Sequence, residues 1–383
     1  MKRKIFNSTL LGIVIGIFVC CTINKDKEIF NGEIQYIDDS HKVIKNITSR
    51  PVLMSDGIPT GLIAVYDSLL ICWNSERDHF FNIINLDTGK EIGNFCEIGR
   101  GPREAISVNC IVQLFKKEND ICTYLWAYNE SRLFLWNISQ SIEKRKTIYD
   151  TIVDYEKNRY FFLFSLSEDE LFVNRPSDYL AIDEITMPFY EKRTISTQAI
   201  LQDYRIYTKA TLLNGDIGNF YTWDVMKSDG SKIAQAMKRL PQINILDTHT
   251  GDVIGYRIKN SNDFSHLLLD TDVDIEIHYI NIHADNNYLY ATYWGKEPWP
   301  GRIEDGFPFV NIIHIFDWNG KQLYELITDQ SFFHIWVDPV RNRLYTINMN
   351  TDEVYYLDLN ELNLLHAKRM IHHASFSKER SER

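Results

Sequence analysis

The sequence is poor in the features that announce common chemistries. It has six cysteines, two of them adjacent at Cys20 and Cys21. The other four, Cys72, Cys96, Cys110 and Cys122, show neither the spacing of a zinc site nor a redox CxxC motif. An exported chain could pair them, and a packed core could bury them as thiols; spacing does not choose. There is no GxSxG nucleophile elbow, no HExxH and no phosphate-cradling glycine loop. Ten prolines are scattered through 383 residues, and no Pro/Ser-rich linker or low-complexity block divides the chain. Positive charge is in deficit: 41 Lys and Arg face 52 Asp and Glu, a formal net charge of −11. An acidic surface repels phosphates and anionic headgroups, so nucleic acid is not an expected partner. Beyond the first twenty residues no apolar run approaches the roughly 20 residues of a membrane helix.

What is present begins at the N-terminus. Met1-Lys2-Arg3-Lys4 is basic, Leu10 to Val19 is apolar, and Cys20-Cys21 follow. A basic start, a short apolar core and a small residue at the break read as a secretory signal. With cysteine directly after the apolar run, it resembles a bacterial lipoprotein signal. That resemblance implies cleavage after residue 20 and a diacylglycerol on Cys21. Phe18 and Cys20 depart from the usual leucine and small residue. Losing Lys2, Arg3 and Lys4 with the signal takes the formal net charge from −11 to −14. The body is then held to the membrane only by its lipid.

Aromatic residues make up 13% of the chain, with 21 Tyr and 21 Phe, which favours strands. Residues 61–96 read as a four-stranded meander: Gly61 to Tyr66, Leu69 to Cys72, Asp78 to Leu86 and Glu91 to Cys96. Asp87-Thr88-Gly89 makes a tight turn in which Asp caps and Gly takes positive φ. The same grammar returns. Cys122 to Asn129 and Arg132 to Asn137 belong to a second unit, and Phe161 to Val173 to a third. Tyr204 to Leu213 is expected to open a fourth, closed by Ile243 to Ile254 with its echoing "LDTHTG" turn. His283 to Ile327 holds a fifth and Ile335 to Asp358 a sixth. The stretch Asp224 to Arg239 reads as a helical insertion in the fourth. Such units, at intervals of roughly 45 to 60 residues, are the signature of a β-propeller, because one twisted sheet cannot bury both its faces alone. The expected fold is all-β: a six-bladed β-propeller of four-stranded antiparallel meanders over residues 32–373. Residues 1–20 form the signal, 21–31 a tether and 374–383 a frayed tail. The strand candidate Gly32 to Ile47 is expected to complete the last blade and close the ring. A β-sandwich is the competing fold.

The loop after the first unit is Gly99-Arg100-Gly101-Pro102-Arg103-Glu104. With the signal and the six-unit pattern, this "G-R-G-P-x-E" loop resembles the TolB-like six-bladed propeller lipoproteins of Bacteroidetes. Arg103 stands where that family often has a third glycine, and Ala105 replaces its usual aromatic. The resemblance implies the fold and an envelope location, on the outer membrane, and carries no catalytic residues. Physically, the loop can clasp the first two blades through Arg100 and Glu104, or offer Arg100, Arg103 and glycine amides to an anion. It leads into a strand, not a helix, so it lacks the helix N-terminus on which phosphate loops rely.

Two further stretches carry candidate chemistry. Asp270, Asp272, Asp274 and Glu276 share one strand face and could attract calcium. An EF-type loop starting there would need Gly and Glu where the chain has Ile275 and Asn281. His278 and His283 fall on opposite strand faces and cannot share a metal. Trp294, Trp299 and Arg302 lie on a loop rich in Pro and Gly that suits a sugar face or a protein partner. The sequence therefore reads as a non-catalytic binding or scaffolding propeller without cofactor, meeting an envelope protein or glycan through one face. The alternative is a calcium-dependent propeller hydrolase or lyase with its site on the central axis.

Overall fold

The structure is a computed structural model, described here for residues 25–38, 42–54, 61–74, 78–155, 162–175, 189–208, 220–267, 276–296, 306 and 308–362. Cys21, Trp299, Arg302, Asp270, Asp272, Asp274 and the C-terminal tail lie outside these residues. The described chain forms six sheets arranged as a six-bladed β-propeller. Blade 1 runs through Ile63–Tyr66, Leu69–Trp73, His79–Asn85 and Lys90–Glu97. Blade 2 begins at Phe115–Lys117 and ends at Tyr149–Asp154; blade 3 begins at Phe162–Ser165 and ends at Ile200–Arg205. Blade 4 spans Thr222–Met226 to Val253–Ile258, and blade 5 spans Ile277–Ala284 to Gln322–Thr328. Blade 6 has His334–Asp338 innermost and takes its fourth strand, Arg50–Pro51, from the N-terminus.

Each junction between blades has its own apolar core, and strand alternation assigns side chains to it. In the second strand of blade 2, Tyr124 and Trp126 face Leu163, Leu171 and Val173 of blade 3. Their neighbours Leu125 and Ala127 face blade 1, beside Phe81 and Phe95. Middle strands are therefore apolar on both faces and buried almost throughout, as in His79–Asn85, whereas the outer strand Ile200–Arg205 is exposed but for Tyr204. Each large side chain fully buried in these seams contributes about 1.5–3 kcal/mol.

The N-terminal segment departs from expectation in an instructive way. Gly32 to Ile47 does not complete the last blade. Glu33–Ile37 adds in parallel to the outer edge of blade 4, and Val43–Ile47 adds in parallel to blade 5. Only Arg50–Pro51 reaches blade 6, pairing with Tyr355 and Tyr356. One extended segment thus covers three successive edges whose N–H and C=O groups would otherwise be unpaired. Residues 25–31 are not free tether either. The helix Lys25–Ile29 docks Ile29 and Phe30, each 2% exposed, against Phe264 and Tyr207. Asp26 is buried there, pairing with Arg257 at 2.9 Å and accepting the Phe264 amide at 3.1 Å.

Two other expectations are corrected. Tyr204 belongs to the outermost strand of blade 3, not the opening of blade 4. Asp224 to Arg239 is no helical insertion, for Thr222–Met226 and Lys232–Met237 are the first two strands of blade 4. They are buried from both sides, which erases the alternation that marks a half-exposed strand.

Candidate functional site

The innermost strand of every blade is a sheet edge, so alternate backbone amides along it have no ladder partner. Side chains from the neighbouring blade supply acceptors. Asn281 Oδ1 in blade 5 accepts from the Ile335 amide of blade 6 at 3.1 Å, and His283 Nδ1 accepts from the Val337 amide at 3.1 Å. His334 Nδ1 receives the Ile63 amide of blade 1 at 3.4 Å, and Asp338 Oδ1 the Asp67 amide at 3.2 Å. Between blades 2 and 3, Gln113 Oε1 accepts from the Ser165 amide at 2.7 Å. Both histidines must be neutral at Nδ1 to accept. Burial lowers the pKa of His283 to about 3, with His334 adding to the shift, and burial lowers that of His334 to about 4.

These strands end around an axial cavity of about 370 Å³. Five blades contribute, through Tyr66, Lys116, Met226, His283 and Trp336. The His283 ring lies 4.2 Å from that of Trp336, and the Lys116 ammonium sits 5.8 Å over Tyr66. A second cavity of about 610 Å³ between blades 2 and 3 shares Gln113, Phe115, Lys116 and Ser228 with the first. The wall is mostly apolar with a few placed polar groups, as small-molecule sites are. The carboxylate at the rim, Asp285, is committed: Oδ1 accepts the Asn287 and Tyr288 amides and Oδ2 the Tyr290 hydroxyl. Among the described residues no three His, Cys, Asp or Glu side chains are grouped to hold a metal ion.

The residues singled out from sequence lie elsewhere. Gly99–Glu104 does not line either cavity. Glu104 does not pair with Arg100. Its Oε2 accepts the Gly101 amide at 2.8 Å and occupies the space a side chain at Gly99 would need. The link to blade 2 uses other arginines: Arg103 donates to the Tyr149 carbonyl at 3.4 Å, and Arg132 to that of Pro102 at 3.4 Å. Arg100 is exposed. Trp294 is half-buried against Ile277, Ile280 and Val310. Cys72, Cys96, Cys110 and Cys122 form no disulfide among the described residues; burial pushes Cys110 up to about 11 and Cys122 up to about 12.

A second polar cluster crosses blade 4 from edge to edge. From Asp26 it passes through Arg257 and Gln242 to Asn244, then Gln235 and Asp224. Asp224 also receives Asn174 and the Tyr190 hydroxyl from blade 3. Burial raises the pKa of the Asp224 carboxyl. It ties blades 3 and 4 and the N-terminal helix together.

The fold defines a class, the six-bladed β-propeller. No protein-family model matches the sequence, and no curated protein matches it. Solved structures do. A member of the DUF4221 family from Bacteroides vulgatus is 10% identical with a TM-score of 0.54, over 82% of this chain and 96% of that one. A candidate exported protein of Bacteroides fragilis is 12% identical with a TM-score of 0.47, over 82% and 98% of the two chains. The Cps50 (Swd1) β-propeller domain of Myceliophthora thermophila is 11% identical with a TM-score of 0.42, over 81% and 99%. At such identity the likeness to the first is one of fold alone. No helix among the described residues is long and apolar enough to cross a membrane.

Proposed function

We propose that the chain is a non-catalytic binding propeller of the cell envelope, acting through the axial mouth. One observation carries this reading. Five inner strands converge on a single largely apolar cavity, while its rim carboxylate is already bonded within its own turn. The partner would be an envelope protein or glycan that presents a group to the ring axis, and no cofactor is needed. The lipoprotein signal and the Gly99–Glu104 loop support membership of the TolB-like propeller lipoproteins, lipid-anchored at Cys21 to the outer membrane. Hydrogen–deuterium exchange with and without solubilised envelope extract tests the reading. Protection is expected at residues 66–68, 116–119, 227–230 and 284–287. Protection confined to Gly99–Glu104 or to the outer strands would overturn it.

A further inference from the structure

The polarity of the axial cavity narrows what enters it. Gln113 and His283 both line it, and both spend their acceptor atoms inside the protein. The Ser165 amide is bonded to Gln113 Oε1 and the Val337 amide to His283 Nδ1. A backbone amide is always a donor, so these two bonds fix the amide orientation and the imidazole tautomer. What remains for a ligand is the donor side of each group, Gln113 Nε2–H and the His283 ring N–H, the latter shared with the Ala284 backbone; both are donors. Lys116 adds a third. Its neighbour Lys117 pairs with Asp150, but Lys116 forms no ion pair among the described residues and rests over Tyr66, leaving its ammonium donors unspent. The opposing charge, Asp285, has both oxygens turned into the loop it caps. Tyr66, Phe115 and Trp336 furnish flat apolar surface beside these donors.

From this one-sided set of donors we infer that the group entering the axial cavity is an anion, a carboxylate or phosphate carried on an apolar or ring-shaped body. The inference rests on the proposed binding role of the mouth and adds the chemistry of its ligand. Lys116 would supply the charge; Gln113 and His283 would supply direction, each through one N–H. Because His283 stays uncharged down to about pH 3, it contributes a hydrogen bond and no charge.

Calorimetry on the whole protein with matched probes tests it. Phenylacetate and phenyl phosphate are compared with neutral phenylacetamide, and glucuronate with glucose, which also separates an aromatic from a sugar body. Anions are expected to bind at least ~10-fold more tightly than their neutral counterparts, less so at high salt. Lys116→Met should abolish that preference and Lys116→Arg keep it; the exposed side chain leaves folding intact. Neutral probes binding equally well, or Lys116→Met leaving the anions unaffected, would overturn the inference while the mouth stands as a binding site. If no anion binds and no envelope component protects residues 66–68 or 284–287, the inference and the function proposed above both fall.

Discussion

His283 and His334 show how single residues hold the ring. Each accepts an amide across a blade junction, and neither can do so once protonated at Nδ1. Free histidine titrates near pH 6.5, whereas these two are held at about 3 and about 4. The unfolded chain therefore binds more protons across that interval. Stability should be full above about pH 6.5 and fall as the pH drops toward 4. Carboxylates act lower: Glu325, held at about 2 by His314 and Lys42, loses its contribution only below about pH 4.5. Denaturant midpoints at pH 7.5 and 5 should differ measurably in the native protein. In a His283→Gln/His334→Gln variant, where Gln Oε1 can accept the same amides, the difference should shrink. It should not vanish, because His278 is also lowered to about 4. An unchanged difference would show that the two rings are not the acid-sensitive groups.

At the scale of elements, the Gly99–Glu104 loop and the N-terminal segment are two kinds of fastening. In the loop, a Cβ at Gly99 would lie 1.9 Å from Glu104 Oε2, the oxygen that takes the Gly101 amide. Gly99→Ala should therefore expel the same carboxylate that Glu104→Ala removes. Each should cost about 1–2 kcal/mol, and the double variant little more than either alone. Additive losses in urea unfolding would contradict this. The N-terminal segment is anchored by a buried ion pair. Removing Asp26 leaves the Arg257 guanidinium, 1% exposed, without its counter-charge. Asp26→Ala should cost about 3–5 kcal/mol and speed proteolysis within residues 25–51. A stability unchanged within 1 kcal/mol would mean that this segment is not fastened there.

Much of the whole molecule was legible because a propeller repeats its turns. "LDTG" and "LDTHTG" mark the same outer turn in blades 1 and 4, with Gly89 at φ 68° and Gly251 at φ 81°. What was illegible had no local pattern. Phe115–Lys117 is only three residues long, too short to show alternation. Parallel addition of Glu33–Ile37 and Val43–Ile47 to two blades is decided by which edges lie within reach, not by their own residues. The axial mouth was illegible for the same reason. Tyr66, Lys116, Met226, His283 and Trp336 are five different residue types, each on the inner strand of a different blade. Nothing groups them until the ring is closed. The distinctive motif, Gly99–Glu104, was visible because it must satisfy a tight loop, and that demand is structural.

The claim that the mouth is the working surface is tested most directly by photo-crosslinking. A benzophenone amino acid would replace exposed Asn286 at the rim of the axial cavity, and in a second variant exposed Tyr36 on the segment outside blade 4. Both would be irradiated in intact envelope. The account predicts a discrete adduct from position 286 and none from position 36; an adduct from position 36 alone would contradict it.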